Sequence, residues 1–276
     1  MRTLLKFFDV TGTRIAAGLV LTLTLLAAIG PLFLQDPNAL DLTNRLSAPS
    51  AAHWFGTDQL GRDILSRLVA GGRISLLVGV TGSLVALVAG VIVGGFCGFG
   101  PTWLDNVVMR VNDVLISFPF VVVAVALAFV LGPNLELLII VVAITQVPTF
   151  IRIARSSVLA VSQREFVLVS RSLGRSMPAI LFRHILPNAM GPVLAFSSLS
   201  VGTAINIEAG LSFIGAGVQP PTASWGTILS EGSAHLRTAP WITLFAGAII
   251  CVAVLAFTIL GETLRTFLDP RGDLSK

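Results

Sequence analysis

The chain is written as long uncharged stretches broken by short charged ones. Residues 15–35, 74–104, 114–135, 137–151, 185–207 and 238–261 contain no Asp, Glu, Lys or Arg. Each is apolar on all sides instead of along one stripe, the pattern of a helix embedded in lipid. Hydrocarbon offers no partner for backbone amides, so each stretch must satisfy its own as a helix. A membrane barrel would instead need alternating segments of about ten residues, and none is present. The first stretch is long enough to span a bilayer and too long for the apolar part of a signal peptide. Pro31 and Phe33 stand where a small-residue cleavage site would lie, so this helix is expected to be retained. The fourth stretch is short and gains spanning length if Arg152 and Arg155 snorkel to the membrane face. The expected fold is an all-α membrane protein with six transmembrane helices.

Charge supports this and gives it a direction. Hydrophobic residues make up 54% of the chain and charged residues 12%, about half the charge a soluble domain carries. The net charge of +4 does not point to nucleic acid, because the arginines form no stripe with aromatic neighbours and tyrosine is absent. Basic residues instead set topology. With the N-terminus cytoplasmic, thirteen of the eighteen Lys and Arg fall on that side and five on the other. The exception is Arg62, Arg67 and Arg73, partly offset by Asp58 and Asp63. Both termini and the polar segment 152–184 are therefore expected inside, with loops 36–73 and 214–237 outside. Residues 1–73 read as an N-terminal helix plus external loop, and 74–276 as the transmembrane core. Gly90, Gly94 and Gly98 form two overlapping G-x-x-x-G spacings beside Gly95, read as a close helix contact within the chain.

Enzyme signatures are missing: no H-E-x-x-H, no G-x-S-x-G and no phosphate-binding loop occurs. His53, His184 and His235 are isolated, and Cys97 and Cys251 each lie inside an apolar run, which suits packing better than metal ligation. No catalytic residue, metal site or cofactor is expected on this chain. The segment 163–178 is amphipathic. Phe166, Val169 and Leu173 share one helical face and Arg164, Arg171 and Arg175 lie opposite; Gly174 breaks the helix before Met177, Ile180 and Leu181 resume an apolar pattern. Such a helix between two spans lies on anionic lipid or docks into a groove on a soluble partner.

The same segment resembles the cytoplasmic loop of ABC-importer permeases, with Gly174 and Leu186-Pro187 at that loop's spacing. The Glu-Ala-Ala triplet of the family is replaced here by Leu168-Val169-Ser170. Three further motifs are similar to the dipeptide, oligopeptide and nickel permeases. They are His53-Trp54-Phe55-Gly56-Thr57-Asp58-Gln59-Leu60-Gly61-Arg62-Asp63, then Glu208-Ala209-Gly210-Leu211-Ser212-Phe213-Ile214-Gly215 with Gln219-Pro220-Pro221 and Ser224-Trp225-Gly226, and the tail Leu264–Arg271. The resemblance implies a C-type subunit with a five-helix permease core. It would pair with a similar second permease, two cytoplasmic ATP-binding subunits that hold ATP and Mg, and an external solute-binding protein, in a bacterial inner membrane. It assigns contact with the ATPases to Glu165, Ser170, Arg171, Gly174, Leu186 and Pro187.

Two groups remain open to a structural or a functional reading. Gly56, Thr57, Asp58, Gly61, Arg62 and Asp63 could form a self-paired turn, with Asp63 near Arg67, or could touch substrate or the binding protein. Glu208, with Asn206 close by, follows 23 uncharged residues; it either faces a pathway or sits at the outer interface. Pro119, Pro148, Pro187 and Pro192 permit kinks in or beside spans. The expected cargo is a short peptide, with nickel or a chelated metal as the alternative. An ion-coupled secondary transporter would need inverted repeats and midplane charges, and a membrane-embedded enzyme would need a catalytic cluster; neither pattern is visible.

Overall fold

A computed structural model describes residues 11–268. Arg2 and Lys6, and the Asp269-Pro270-Arg271 end of the tail motif, lie outside the described residues. The described elements are helices: α1 Thr11–Ile29, α2 Ile64–Phe99, α3 Thr102–Ser117, α4 Phe120–Leu131, α5 Leu135–Ser162, α6 Glu165–Ser172, α7 Met177–Ile180, α8 Leu186–Phe213, α9 Trp225–Ser233 and α10 Pro240–Leu268. A tight turn, Gly30–Leu32, prolongs α1, and a π-helical turn, Leu181–Ile185, joins α7 to α8.

Five helical segments are long and apolar enough to cross a membrane, and α3 with α4 make a sixth crossing bent by 82°. The third apolar stretch is thus two helices, not one. Phe118 and Pro119 are extended at the break, because proline supplies no backbone donor and disfavours helix at the residue before it. The pair nonetheless travels the length of α5. Asp105 at its start binds Arg155, Asn112 reaches the Pro148 carbonyl at 3.3 Å, and Ala124 and Ala128 pack with Leu138 and Val142.

The second stretch also differs from expectation. Its helix begins ten residues earlier, at Ile64, where the Asp63 carboxylate accepts from the Ser66 amide at 2.8 Å. Arg67 and Arg73 therefore lie inside α2, and a boundary at residue 73 falls within a helix. Each arginine is matched: Arg67 by carboxylates, and Arg73 by the Ala27 and Ala28 carbonyls at 2.6 and 2.7 Å. The latter satisfies acceptors that the end of α1 leaves free. The other end of α1 is tied by Thr13 to Thr263 at 3.0 Å.

The glycine pattern of α2 closes a seam within the chain, as read from sequence. A side chain at Gly90 would strike Phe150, at Gly94 the Ile151 carbonyl at 2.5 Å, and at Gly98 the Arg155 carbonyl at 2.8 Å. The pairs ascend together, so α2 and α5 run parallel. On another face Gly79 meets Ile205 and Gly95 meets Leu186, so α8 runs antiparallel to both. The loops 33–63 and 214–224 consequently share one end of the bundle with the start of α5. The segment 163–176 lies at the other.

Candidate functional site: a charged lock at one end and an amphipathic helix at the other

The Gly56–Asp63 turn is shaped by its glycines. Gly56 and Gly61 have φ of +77° and +76°, a region that side chains disfavour. A side chain at the first would meet the Trp241 indole, and at the second the Asp41 carbonyl. Thr57 is buried, accepting from the Ser47 amide at 2.9 Å and donating to the Asn44 carbonyl. Just upstream, hydrogen bonds from the Thr43 and Asn44 side chains hold the Asp41 carboxyl down to about 2. Asp41 thereby stays an anionic cap for the turn Leu42–Asn44.

Asp58 is wholly buried and takes four donors. Its Oδ1 accepts the Leu60 and Arg62 amides at 2.8 and 3.0 Å; its Oδ2 accepts Arg62 Nε at 2.6 Å and Arg67 Nη1. Both guanidinium groups then reach Glu231 on α9, Arg67 at 2.6 Å and Arg62 at 3.1 Å. Two cations face two carboxylates, so the cluster carries its own compensation away from water. The expected Asp63–Arg67 pairing is replaced. Asp63 accepts from the Ser66 amide and hydroxyl, and its other oxygen lies 3.1 Å from His53 Nδ1. Glu231 was not legible as a partner: it lies 169 residues from Arg62 and belongs to no local motif.

Deeper in the same end, Glu208 is fully buried. The Ser75 and Ser212 hydroxyls each donate to it at 2.7 Å, and Ser75 Oγ accepts the Trp225 amide at 3.1 Å. Trp225 Nε1 also donates to the Leu68 carbonyl at 2.9 Å. Helix α9 is therefore pinned at its start through Ser75 and near its end through Glu231. Asn206, two residues before Glu208, lies instead on the exposed face of α8.

At the opposite end α6 hangs on the bundle by Val167, which packs with Val158, Ile180 and Ile185. Glu165 stands in its first turn, where a carboxylate complements the helix dipole. The Ser170 hydroxyl donates to the Phe166 carbonyl at 2.8 Å, and Arg171 lies 4.7 Å over the Phe99 ring. Gly174 ends the turn at φ +72° with open space around it. Leu186 packs on the Val167 cluster, and Pro187 directly follows the π-helical turn Leu181–Ile185 at the start of α8. Arg175 Nη1 and His184 Nε2, 2.8 Å apart, tie the turn to the π-helical segment. The face read from sequence as apolar points outward: Val169 is 57% and Leu173 71% exposed.

At the α3–α4 bend, Leu115, Phe118, Leu127, Thr145 and Arg152 line a cavity of about 370 Å³. Arg152 is held there by Asp113 at 2.7 Å.

Comparison with known proteins gives this arrangement a family. The dipeptide transport system permease protein DppC of Alkalihalophilus pseudofirmus is 39% identical over 92% of this chain and 84% of its own length. The oligopeptide transport system permease protein OppC of Bacillus subtilis is 40% identical over 92% and 83%. The glutathione transport system permease protein GsiD of Pectobacterium atrosepticum is 38% identical over 93% and 86%. Among solved structures, an inward-facing form of the MetNI methionine ABC transporter superposes with a TM-score of 0.62 over 73% of this chain and 95% of that one. Its sequence identity is 17%, so the likeness is one of fold. The family model for the binding-protein-dependent transport system inner membrane component matches residues 65–273. It takes in Arg67 and Glu231 of the charged lock, the Glu208 node and the amphipathic helix, and begins just after Asp58 and Arg62. The chain belongs to that family of inner membrane transport components.

Proposed function

We propose that this chain is one of two non-identical permeases in an ATP-driven importer that moves short peptides across a bacterial inner membrane. The observation that carries the proposal is α6: a short helix between two spans, anchored by Val167, with Val169 and Leu173 turned outward. A groove on a soluble partner suits that surface, and we assign the partner as a pair of ATP-binding subunits that hold ATP and Mg. The thirteen-to-five division of basic residues supports a cytoplasmic side for α6 and both termini. The lock of Asp58, Arg62, Arg67 and Glu231 then faces outward, where it would stiffen a platform for a solute-binding protein. Movement of the ATPases would press on α6 and, through the Val167 cluster, on α5 and α8.

Peptide cargo follows the relatives, named for dipeptides, oligopeptides and glutathione. None of those three is named for nickel. Uptake of labelled dipeptides and of nickel in cells lacking this chain tests the reading. Loss of dipeptide uptake with unchanged nickel accumulation is expected. The reverse would overturn the cargo, and no change in either would overturn the importer.

A further inference from the structure

The outward faces of α2 and α10 are mostly apolar. Leu77, Leu84 and Val88 point outward from α2, and Leu244, Leu255 and Ile259 from α10. Helix α8 departs from this. Thr203, Asn206 and Gly210 succeed one another on its exposed face at helical spacing. Thr203 satisfies its own hydroxyl by donating to the Leu199 carbonyl at 3.3 Å. Asn206 has no such recourse: its amide bonds to nothing among the described residues. It stands seven residues before the helix ends at Phe213, about 10 Å into the span at the helical rise. A primary amide offers two donors and an acceptor, and hydrocarbon leaves all of them unmet at a cost of several kcal/mol. Something polar must meet this face.

The face is continuous with the mouth of the bundle. Past Phe213 the chain turns at Gly215 into the 214–224 loop, at the same end as the Asp58–Glu231 lock. One turn nearer that mouth than Asn206, Gly210 has open space where a side chain would stand, so an incoming backbone can approach the helix closely. We infer that Asn206 is a cargo-contacting residue, its side-chain amide exchanging hydrogen bonds with a main-chain amide of the peptide in transit. The inference rests on the peptide-importer reading. A carboxamide matches a peptide bond donor for acceptor, whatever the side chains. Being uncharged, it also holds loosely enough to let the cargo leave, as a conducting site must.

The test uses the intact importer in proteoliposomes with its binding protein saturating and loaded with a dipeptide. Asn206→Ala should lower peptide moved per ATP hydrolysed by roughly threefold to tenfold, the factor carried by one uncharged hydrogen bond. Asn206→Gln should retain most of the wild-type value. A dipeptide N-methylated at its amide lacks the donor and keeps only the carbonyl, so Asn206→Ala should slow it by a smaller factor than it slows the unmethylated peptide. Equal losses on both peptides would assign Asn206 a structural role and overturn the inference. So would wild-type behaviour of Asn206→Ala, or quantitative cross-linking of Asn206→Cys to the second permease. Failure of the wild-type importer to move any dipeptide would overturn the cargo reading itself, and the inference with it.

Discussion

Asp58 has no spare oxygen, and its two arginines have few other places to go. Asp58→Asn would leave Arg62 and Arg67, both nearly inaccessible, with Glu231 alone. Removing one member of a buried ion cluster costs about 3–5 kcal/mol. The purified permease should therefore melt many degrees lower, while Glu231→Gln, whose carboxylate is 18% exposed, should cost less. Equal melting temperatures for Asp58→Asn and wild type would show that the cluster is not the clamp described above. Half of this cluster was legible in the sequence, because Asp58 and Arg62 are four residues apart in a glycine-flanked turn. The rest was not: Arg67 was expected beside Asp63, and Glu231 shares no pattern with either. The same holds for Glu208. Its ionisable character was plain from the uncharged run before it, but the two serines that hold it come from different helices.

Helices separate two kinds of glycine. Gly94 is a contact glycine, its missing side chain occupied by the backbone of α5. Gly94→Leu should force the α2–α5 seam apart, costing about 1–3 kcal/mol or more as overpacking, and should lower the yield of folded protein. Gly174 is a conformational glycine with nothing nearby, so Gly174→Val strains only its own backbone at φ +72°. The variant should insert and melt only slightly lower yet hydrolyse ATP without matching uptake. Normal uptake by Gly174→Val would place the coupling contact elsewhere. Uncharged length made the spans legible as elements, and it failed where length was not the deciding physics. The start of α2 was missed because its arginines are neutralised by partners distant in sequence. At Phe118–Pro119 a kink was expected from the proline, but its angle was not legible, because a missing backbone donor permits a bend without setting its size.

For the whole molecule, six crossings return Thr13 and Thr263 to one end, where they bond to each other, and the basic count predicts that this end is cytoplasmic. Single cysteines at Ser172 and Ser224, in a background lacking Cys97 and Cys251, should react with impermeant reagents from opposite sides of the membrane. Labelling of both from one side would reverse the topology. The parallel course of α2 and α5 has a consequence for biosynthesis. Two neighbours that cross in the same direction cannot be joined by a short turn, so the bent pair α3–α4 must first carry the chain back. Gly98 of α2 waits for Arg155 and Val158 of α5, residues the ribosome adds about sixty positions later, or roughly 3–12 seconds at bacterial elongation rates. Through that interval α2 stands in the bilayer with its glycine notches unfilled. A nascent chain stalled before α5 should therefore be more open to quality-control proteases than one stalled after it, since α5 fills the notches at Gly90, Gly94 and Gly98 and leaves those at Gly79 and Gly95 to α8.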